Sequence, residues 1–254
     1  MRTAAWTDSV SVLDRVTAVF DAFGEDDEGL GISELARRAH LPKSTVSRIA
    51  ADLVAQRFLD RDGDRLYLGV RLFELAETVQ LPRRLRHVAL PVMNELRDVT
   101  RHSVRLAVLQ GSDVLFIAII RGEATAAPTA RVGGRLPAHA TALGKALLAY
   151  SPRGVVEQLV RSGLPSRTPA TICDPAGLAR ELADVRRLGV AADNEECHAG
   201  RACVASPVLG PRGEPVAAIS VAGAASEIVA TRLGPAVRAA ALTLSRRMDP
   251  GPHD

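Results

Sequence analysis

The stretch Ile32-Ser33-Glu34-Leu35-Ala36-Arg37-Arg38-Ala39-His40-Leu41-Pro42-Lys43-Ser44-Thr45-Val46-Ser47-Arg48 decides how the N-terminal part of this chain folds. Leu35, Ala36 and Ala39 make the apolar side of a first helix that begins near Ser33, a residue type suited to capping orphan amides. His40 and Leu41 fill a turn. Pro42 fixes its own backbone angle and lacks an amide donor, so it disfavours continuing the first helix and is tolerated in the opening turn of a second. From Lys43 a new helix starts. Its Val46, Ile49 and Leu53 recur at helical spacing and face a core, which leaves Lys43, Ser44, Thr45, Ser47 and Arg48 on the outer surface. Short hydroxyls and cations in that place suit phosphate oxygens and base edges in a major groove, the signature of a helix-turn-helix. An ordinary helical hairpin with a solvated polar face carries the same pattern.

The next segment of the chain favours the helix-turn-helix. Phe58 to Leu68 reads as two strands joined at an Asp-Gly turn, a strong hairpin signal. Placed directly after the second helix, it is a wing that brings Arg61 and Arg65 towards a phosphate backbone, while Leu66 and Leu68 point inward. A helix from about Val10 to Phe23, with Val12, Leu13, Val16, Val19 and Phe20 as its apolar stripe, supplies the third packing partner. The sum is a winged helix-turn-helix over residues 1–68.

At 254 residues with 47% hydrophobic content, the chain can bury a substantial core in one domain or two. No apolar run approaches the ~20 residues of a membrane span, the longest being Val114 to Ile120, and the N-terminus lacks a basic-then-apolar signal segment. The expected address is the cytoplasm, with no membrane partner. Cys173, Cys197 and Cys203 are odd in number and irregularly spaced, which reads as free thiols rather than a disulfide framework.

The net charge of +3 is a weak argument for nucleic acid, and Glu25, Asp26, Asp27 and Glu28 form an acidic run. The useful signal is local: Arg37, Arg38, Lys43 and Arg48 cluster around the motif. Lys43 and Lys145 are the only lysines. Either a compact ammonium is wanted at those two places, where a planar guanidinium cannot always replace it, or the pair is chance.

After Leu68 the pattern changes. Val70 to Val79 forms an amphipathic helix ending near Leu81-Pro82, so residues 69–84 read as a linker, followed by a helical stretch from Arg83 to Thr100. Val104, Leu106 and Val108 alternate, Gly111-Ser112-Asp113 marks a turn, and Val114 to Ile120 suits a buried strand. Ala142 to Tyr150, Gly154 to Arg161 and Pro175 to Leu188 read as helices, the last ended by Gly189. Two late strands, Ala202 to Val208 and Pro215 to Ala222, precede a terminal helix broken at Gly234-Pro235. Residues 85–254 therefore form a mixed α/β domain, and the whole chain is α+β.

Two stretches of this second domain carry chemistry. Around His139 to Leu148 a turn leads into a helix, and the amides near Thr141 to Gly144 are suited to receive a carboxylate. Gly144-Lys145 is not a phosphate loop, because the leading glycine and the hydroxyl residue after lysine are both missing. The second stretch is Asp193 to Cys203. Cys197, His198 and Cys203 are conceivable metal ligands, but adjacent residues rarely hold one ion together and no second ligand pair stands at zinc-like spacing, so no metal is expected. Nucleophilic catalysis by Cys203 with His139 or His198 as base is open on sequence alone, beside the plainer role of a buried thiol.

Taken together, five blocks resemble the IclR family of bacterial transcription regulators along nearly the whole chain. They are Leu41-Pro42-Lys43-Ser44-Thr45-Val46, Leu136-Pro137-Ala138-His139-Ala140 running into Gly144-Lys145-Ala146, Asp193 with Glu195-Glu196, Cys203-Val204-Ala205-Ser206-Pro207-Val208, and Ala217-Ala218-Ile219-Ser220-Val221-Ala222-Gly223. The resemblance implies a winged helix-turn-helix, a linker helix and a C-terminal effector domain similar to the GAF fold, assembled as homodimers or homotetramers on double-stranded operator DNA of approximately palindromic sequence.

Carried over residue by residue, the resemblance places Ala142 and Leu143 at the start of a helix, with Asp193, Cys203 and Ser220 on opposing strands, as the pocket for a small-molecule effector. Amides near Ala142 would hold an anionic end, Ser220 would offer a hydroxyl, Cys203 a weakly polar wall, and Asp193 a partner for a hydroxyl or amine. The chain departs from the family pattern in having Ala191 and Ala192 where an aromatic residue is frequent, and Arg201 where an apolar residue is common, so the pocket differs in size and charge. The expectation is a ligand-responsive DNA-binding regulator, a repressor by resemblance, with no catalytic residues and no cofactor. The competing readings are an enzyme using the Cys203, Asp193 and His139 neighbourhood, with the N-terminal module for docking, and a pure interaction module.

Overall fold

In a computed structural model the described residues are 11–24, 27–123 and 130–248. Val10, Glu25 and Asp26, which the sequence assigns to the first helix and the acidic run, lie outside them. The chain divides into two compact units, Met1–Gln80 and Leu81–Asp254.

The first unit opens with α1, Val12–Asp21, which Ser11 and Asp14 cap reciprocally, each side chain accepting the other's backbone amide. Its buried residue is Val19, with Val16 and Phe20 half-buried. Val12 and Leu13 are exposed, against the expectation, because the first turn of α1 finds no described element to lie on. The short strand β1, Leu30–Gly31, leads into α2, Ile32–Arg38, and α3, Lys43–Ala55. Gly31 occupies the cap position of α2, so Ser33 sits inside the first turn and is not the cap. His40 turns the chain with φ at 53°, and Pro42 stands at the cap position of α3. Leu35, Ala36 and Ala39 pack with Val46, Ile49, Ala50 and Leu53 in one core, as the helical spacing required.

Strands β2, Leu59–Asp62, and β3, Arg65–Leu68, pair antiparallel, and β1 joins the free edge of β3. The two loop residues are Gly63 and Asp64. Gly63 takes φ of 57°, a left-handed conformation that costs a glycine little and opens a tight hairpin. Leu59 and Leu66 are fully buried beneath the helices, but Leu68 is half exposed, which corrects the inward assignment. It is the last residue of its strand, at the point where the chain turns at Gly69 into α4, Val70–Ala76. The expected helix end at Leu81-Pro82 is likewise displaced. Helix α4 stops at Ala76, and α5, Gln80–Thr100, takes Pro82 into its first turn, where the missing amide donor is not needed.

The second unit is a six-stranded, fully antiparallel sheet with helices on both faces. After α5 come β4, Ser103–Gln110; β5, Asp113–Ile120; β6, Arg135–Pro137; α6, Ala142–Tyr150; α7, Arg153–Ser162; and α8, Pro175–Leu188. The edge strand β7, Ala191–Asn194, was expected only through the resemblance that set Asp193 on a strand; β8, Arg201–Leu209, β9, Pro215–Ala224, and α9, Ala230–Met248, complete the unit. The strand order is β6-β5-β4-β9-β8-β7. One face carries Val104, Leu106, Val204, Ile219 and Val221 against α5 and α9. The other carries Ala107, Phe116, Ala205 and Ala218 against α6 and α8. Helix α9 runs unbroken through Gly234-Pro235, against the expectation: the proline falls near its start, and Leu233, Val237, Ala241 and Leu244 keep one continuous buried face. The fold is thus α+β, a winged helix-turn-helix followed by a helix-covered sheet.

Candidate functional site

In the first unit, α3 presents Lys43, Ser44, Ser47 and Arg48 to solvent, with Thr45 half-buried at the edge of the same face. Neither Lys43 nor Arg48 is tied into an ion pair among the described residues. The other two cations of the cluster are tied. Arg37 lies 2.6 Å from Glu34, and Arg38 lies 2.6 Å from Asp27 and 2.8 Å from Glu34. The Arg37 and Arg38 guanidiniums hold the Glu34 carboxyl down at about 2, and Arg38 lowers that of Asp27. Asp27, the first described residue of the acidic run, therefore folds back on α2. Of the wing cations, Arg61 is exposed, whereas Arg65 Nη1 donates to the carbonyls of Glu28 at 2.9 Å and Gly29 at 3.3 Å, bracing the loop before β1.

In the second unit, the start of α6 is fixed by tight packing. A buried helical turn at Ala138–Ala140 precedes it, and a Cβ on Gly144 would overlap the Ala138 backbone, so only glycine lets the helix end approach. The Thr141 hydroxyl caps the helix by accepting from the Gly144 amide at 3.1 Å. The Ala142 and Leu143 amides have no intrahelical acceptor. The two residues line a cavity together with Asp193 of β7 and Cys203 of β8. Its volume is about 20 Å³, space for about one water. Four of the five residues carried over by resemblance thus meet around one space. Ser220 does not line it: on β9, fully buried, it stands in register with Arg105 of β4 and Ala205 of β8, and its Oγ has no hydrogen-bond partner among the described residues. Larger surface grooves, about 640 Å³ along β7 and α9 and about 730 Å³ between α7 and α8, are lined mainly by apolar atoms.

The electrostatics of the cavity follow from burial. Asp193 Oδ1 accepts from the amides of Glu196 at 2.8 Å and Cys197 at 3.4 Å, and burial pushes its carboxyl up to about 6. The turn that these bonds close is held from behind by Lys145, whose Nζ donates to Glu196 at 2.6 Å and to Glu181 of α8 at 2.9 Å. The second of the two lysines therefore joins α6, α8 and the loop after β7 at a site that is 1% exposed. Arg105, which the sequence reading passed over, lies 7% exposed on β4 and reaches the cavity. Its Nη1 is 3.9 Å from Cys203 Sγ, and its guanidinium carbon is 6.0 Å from the centre of the Phe116 ring. A lone arginine inside an apolar alternation was the available signal.

The chemistry of the thiols is quiet. Burial pushes the Cys203 thiol up to about 11 and that of Cys197 up to about 12, so both stay protonated near neutrality and are poor nucleophiles. His139 Nε2 lies 3.1 Å from the Pro165 carbonyl oxygen, and the ring stands outside the cavity wall. His198 does line the cavity, and its burial and neighbouring arginines lower its pKa. Among the described residues no three His, Cys, Asp or Glu side chains gather where they could share a metal ion.

Two family models match the chain: the IclR helix-turn-helix domain over residues 12–63, and the bacterial transcriptional regulator IclR C-terminal model over residues 79–246. The chain is 33% identical to the transcriptional repressor IclR of Escherichia coli (strain K12) over 236 residues, which is 91% of this chain and 86% of that protein. It is 34% identical, with the same coverage, to the acetate operon repressor of Salmonella typhimurium. Among solved structures, an IclR homologue from Microbacterium hydrocarbonoxydans complexed with 4-hydroxybenzoate matches with a TM-score of 0.86 at 34% identity, covering 94% of this chain and 99% of that one.

Proposed function

The chain belongs to the IclR family of bacterial transcriptional regulators, and we propose on that premise that it is a repressor whose second unit senses a small organic acid or aromatic metabolite. It is a ligand-responsive DNA-binding regulator. The observation that carries the DNA side of this reading is the outer face of α3, where cations without ion pairs among the described residues and short hydroxyls stand together in solvent. Lys43, Ser44, Thr45, Ser47 and Arg48 are assigned to the groove, and Arg61 and Arg65 to the wing, Arg65 acting mainly by bracing it. The effector residues are Ala142, Leu143, Asp193 and Cys203, with Ser220 beneath them. Support for a small-molecule effector comes from the Microbacterium homologue, which is complexed with 4-hydroxybenzoate.

In the proposed mechanism residues 1–68 read DNA, residues 85–254 bind effector and residues 69–84 couple them. Effector binds two arrangements of a homodimer or homotetramer unequally and so shifts the spacing or orientation of paired winged domains on an approximately palindromic operator. Self-association is supported by Leu68, Val70, Phe73, Leu75 and Val79, all between 47% and 65% exposed around α4, more apolar surface than a lone helix leaves in water. Acting on operator DNA places the protein in the cytoplasm. The protonated thiols and the engaged His139 give the enzyme reading no support.

The test is a salt titration of the full-length protein on its own upstream DNA. A regulator of this kind shows a steep fall of affinity with salt and a specific excess of about a thousandfold or more over shuffled DNA. Equal affinity for both duplexes would refute the reading.

A further inference from the structure

The start of α5 and the end of α9 meet at one corner of the second unit, where Arg84 Nη2 donates to the Met248 carbonyl at 3.3 Å and Leu85 and Met248 share the core beneath. Four exposed guanidiniums gather there, those of Arg83 and Arg84 in the opening of α5 and of Arg246 and Arg247 in the last turn of α9. None of the four forms an ion pair among the described residues. Their own helices offer none, because no Asp or Glu occurs from Gln80 to Asn94 or from Ile228 to Met248. Asp249, next in the sequence, lies outside the described residues. The turn between β8 and β9 reaches the same corner through the Leu209 amide, which donates to Ser245 Oγ at 2.9 Å. It adds the exposed Arg212 together with Glu214, whose carboxylate accepts the Arg212 amide at 3.0 Å.

Helix stability does not account for this cluster. The end of α9 carries about −0.5 of a charge and favours cations, but the opening of α5 carries about +0.5 and disfavours them. The two helix ends cancel, which leaves about four positive charges facing water, and such self-repulsion weakens a compact fold unless an anion relieves it. Duplex DNA is the polyanion that the first unit brings. Arg83 and Arg84 follow Gln80, the last residue of that unit, by three and four residues, so a duplex held by the first unit is presented to this corner at high effective concentration. We propose that Arg83, Arg84, Arg246 and Arg247 form a second DNA-contact surface, on the effector unit, that grips the phosphate backbone without reading sequence. The surface rests on the DNA-binding reading of the first unit. It divides the labour: α3 supplies specificity, and the effector unit adds affinity through bidentate guanidinium contacts to phosphate oxygens. An acidic segment of a partner protein is the other anion that would suit the corner, and the short tether to the first unit favours DNA.

The experiment measures how affinity falls with salt for the full-length protein on its own upstream DNA and on a shuffled duplex, by fluorescence anisotropy. In Arg83→Ser/Arg84→Ser/Arg246→Ser/Arg247→Ser the slope of log affinity against log salt becomes shallower by about 2 or more, both duplexes weaken by about tenfold or more, and their ratio stays within about twofold. Arg246→Gln/Arg247→Gln keeps the contact of Arg84 with Met248 and makes the slope shallower by about 1 or more, so the test stands even if the fourfold variant does not fold. Arg153→Ser/Arg161→Ser, which removes the same two charges from α7, leaves the slope unchanged. Three results overturn the surface: a wild-type slope in the folded Arg246→Gln/Arg247→Gln protein, which would leave the corner to an acidic protein segment; an equal change in the α7 variant; or a fall in the ratio of upstream to shuffled affinity. Failure of the unaltered protein to distinguish the two duplexes would instead refute the regulator reading itself.

Discussion

The ammonium of Lys145 lies 2.6 Å from the Glu196 carboxylate, the first side chain 1% exposed and the second 8%. With the partly exposed Glu181 at 2.9 Å on the other side, this triad fastens α6 to the turn that presents Asp193, so the two sides of the effector cavity are set against each other by one lysine. In a chain that otherwise uses arginine, the compact ammonium is what fits between two carboxylates in a closed space.

Lys145→Met therefore strands two carboxylates, one of them buried, and lowers the unfolding free energy by about 3–5 kcal/mol. Lys145→Arg overfills the site and costs about 1–3 kcal/mol. Urea unfolding at neutral pH measures both. A loss under about 1 kcal/mol for Lys145→Met would show that the triad is incidental.

Asp193 gives a pH signature of opposite sign to an ordinary paired carboxylate. Its folded carboxyl is raised from 3.8 to about 6 by burial, so the native state holds the proton more tightly than the unfolded chain. Between about pH 4 and pH 6 this group makes stability fall as pH rises, by about 2–3 kcal/mol in all. Asp193→Asn keeps an acceptor for the Glu196 and Cys197 amides and removes that slope. The variant gains on the wild type as pH climbs through 6, read by urea midpoints at pH 4.5 and pH 7.5; a constant difference between the two proteins would contradict it.

On the DNA side, Lys43→Ala and Arg48→Ala weaken operator binding by about 1–3 kcal/mol for a base contact, and for a phosphate contact reduce the salt slope by about 1. Thermal melting barely moves. Arg37→Ala, whose cation is spent on Glu34, leaves operator affinity within about twofold. Equal losses at all three positions, measured by fluorescence anisotropy, would mean that the ion pairs do not sort the cluster.

Self-association is checked at α4. Phe73→Glu places a charge in the exposed apolar surface around Val70 and Val79, and light scattering should report a shift towards monomer. The footprint should shrink from two half-sites, spaced by about one helical turn or a multiple of it, to one. An unchanged mass and footprint would place the contact elsewhere.

The helix-turn-helix was legible because Pro42 marks the second helix and Val46, Ile49 and Leu53 repeat at its period, a pattern that only one buried face can produce. The wing was legible from Gly63, yet Leu68 was misplaced because alternation assumes that the covering helices reach the end of the strand. In the second unit alternation fails for a different reason. Strand β4 is covered on both faces, so Val104 and Leu106 face one core while Arg105, which the sequence reading passed over, lies on the opposite face and reaches the cavity at the start of α6. Strand β7 has four residues, too few for a period, although its Asp193 was found through family resemblance. The continuity of α9 through Pro235 was missed because the proline was read as a break, although Leu233, Val237, Ala241 and Leu244 repeat at helical spacing on both sides of it.

The central claim is that occupancy of the cavity at α6 governs DNA binding. The most direct measurement is the affinity of the full-length protein for its own upstream DNA with and without a series of aromatic and aliphatic carboxylates, beginning with 4-hydroxybenzoate, repeated with Leu143→Trp, which fills the cavity. At least one acid should change the wild-type affinity by about tenfold or more, and Leu143→Trp should bind the same DNA without responding. An affinity that no acid alters, or a response that survives intact in Leu143→Trp, would contradict the account.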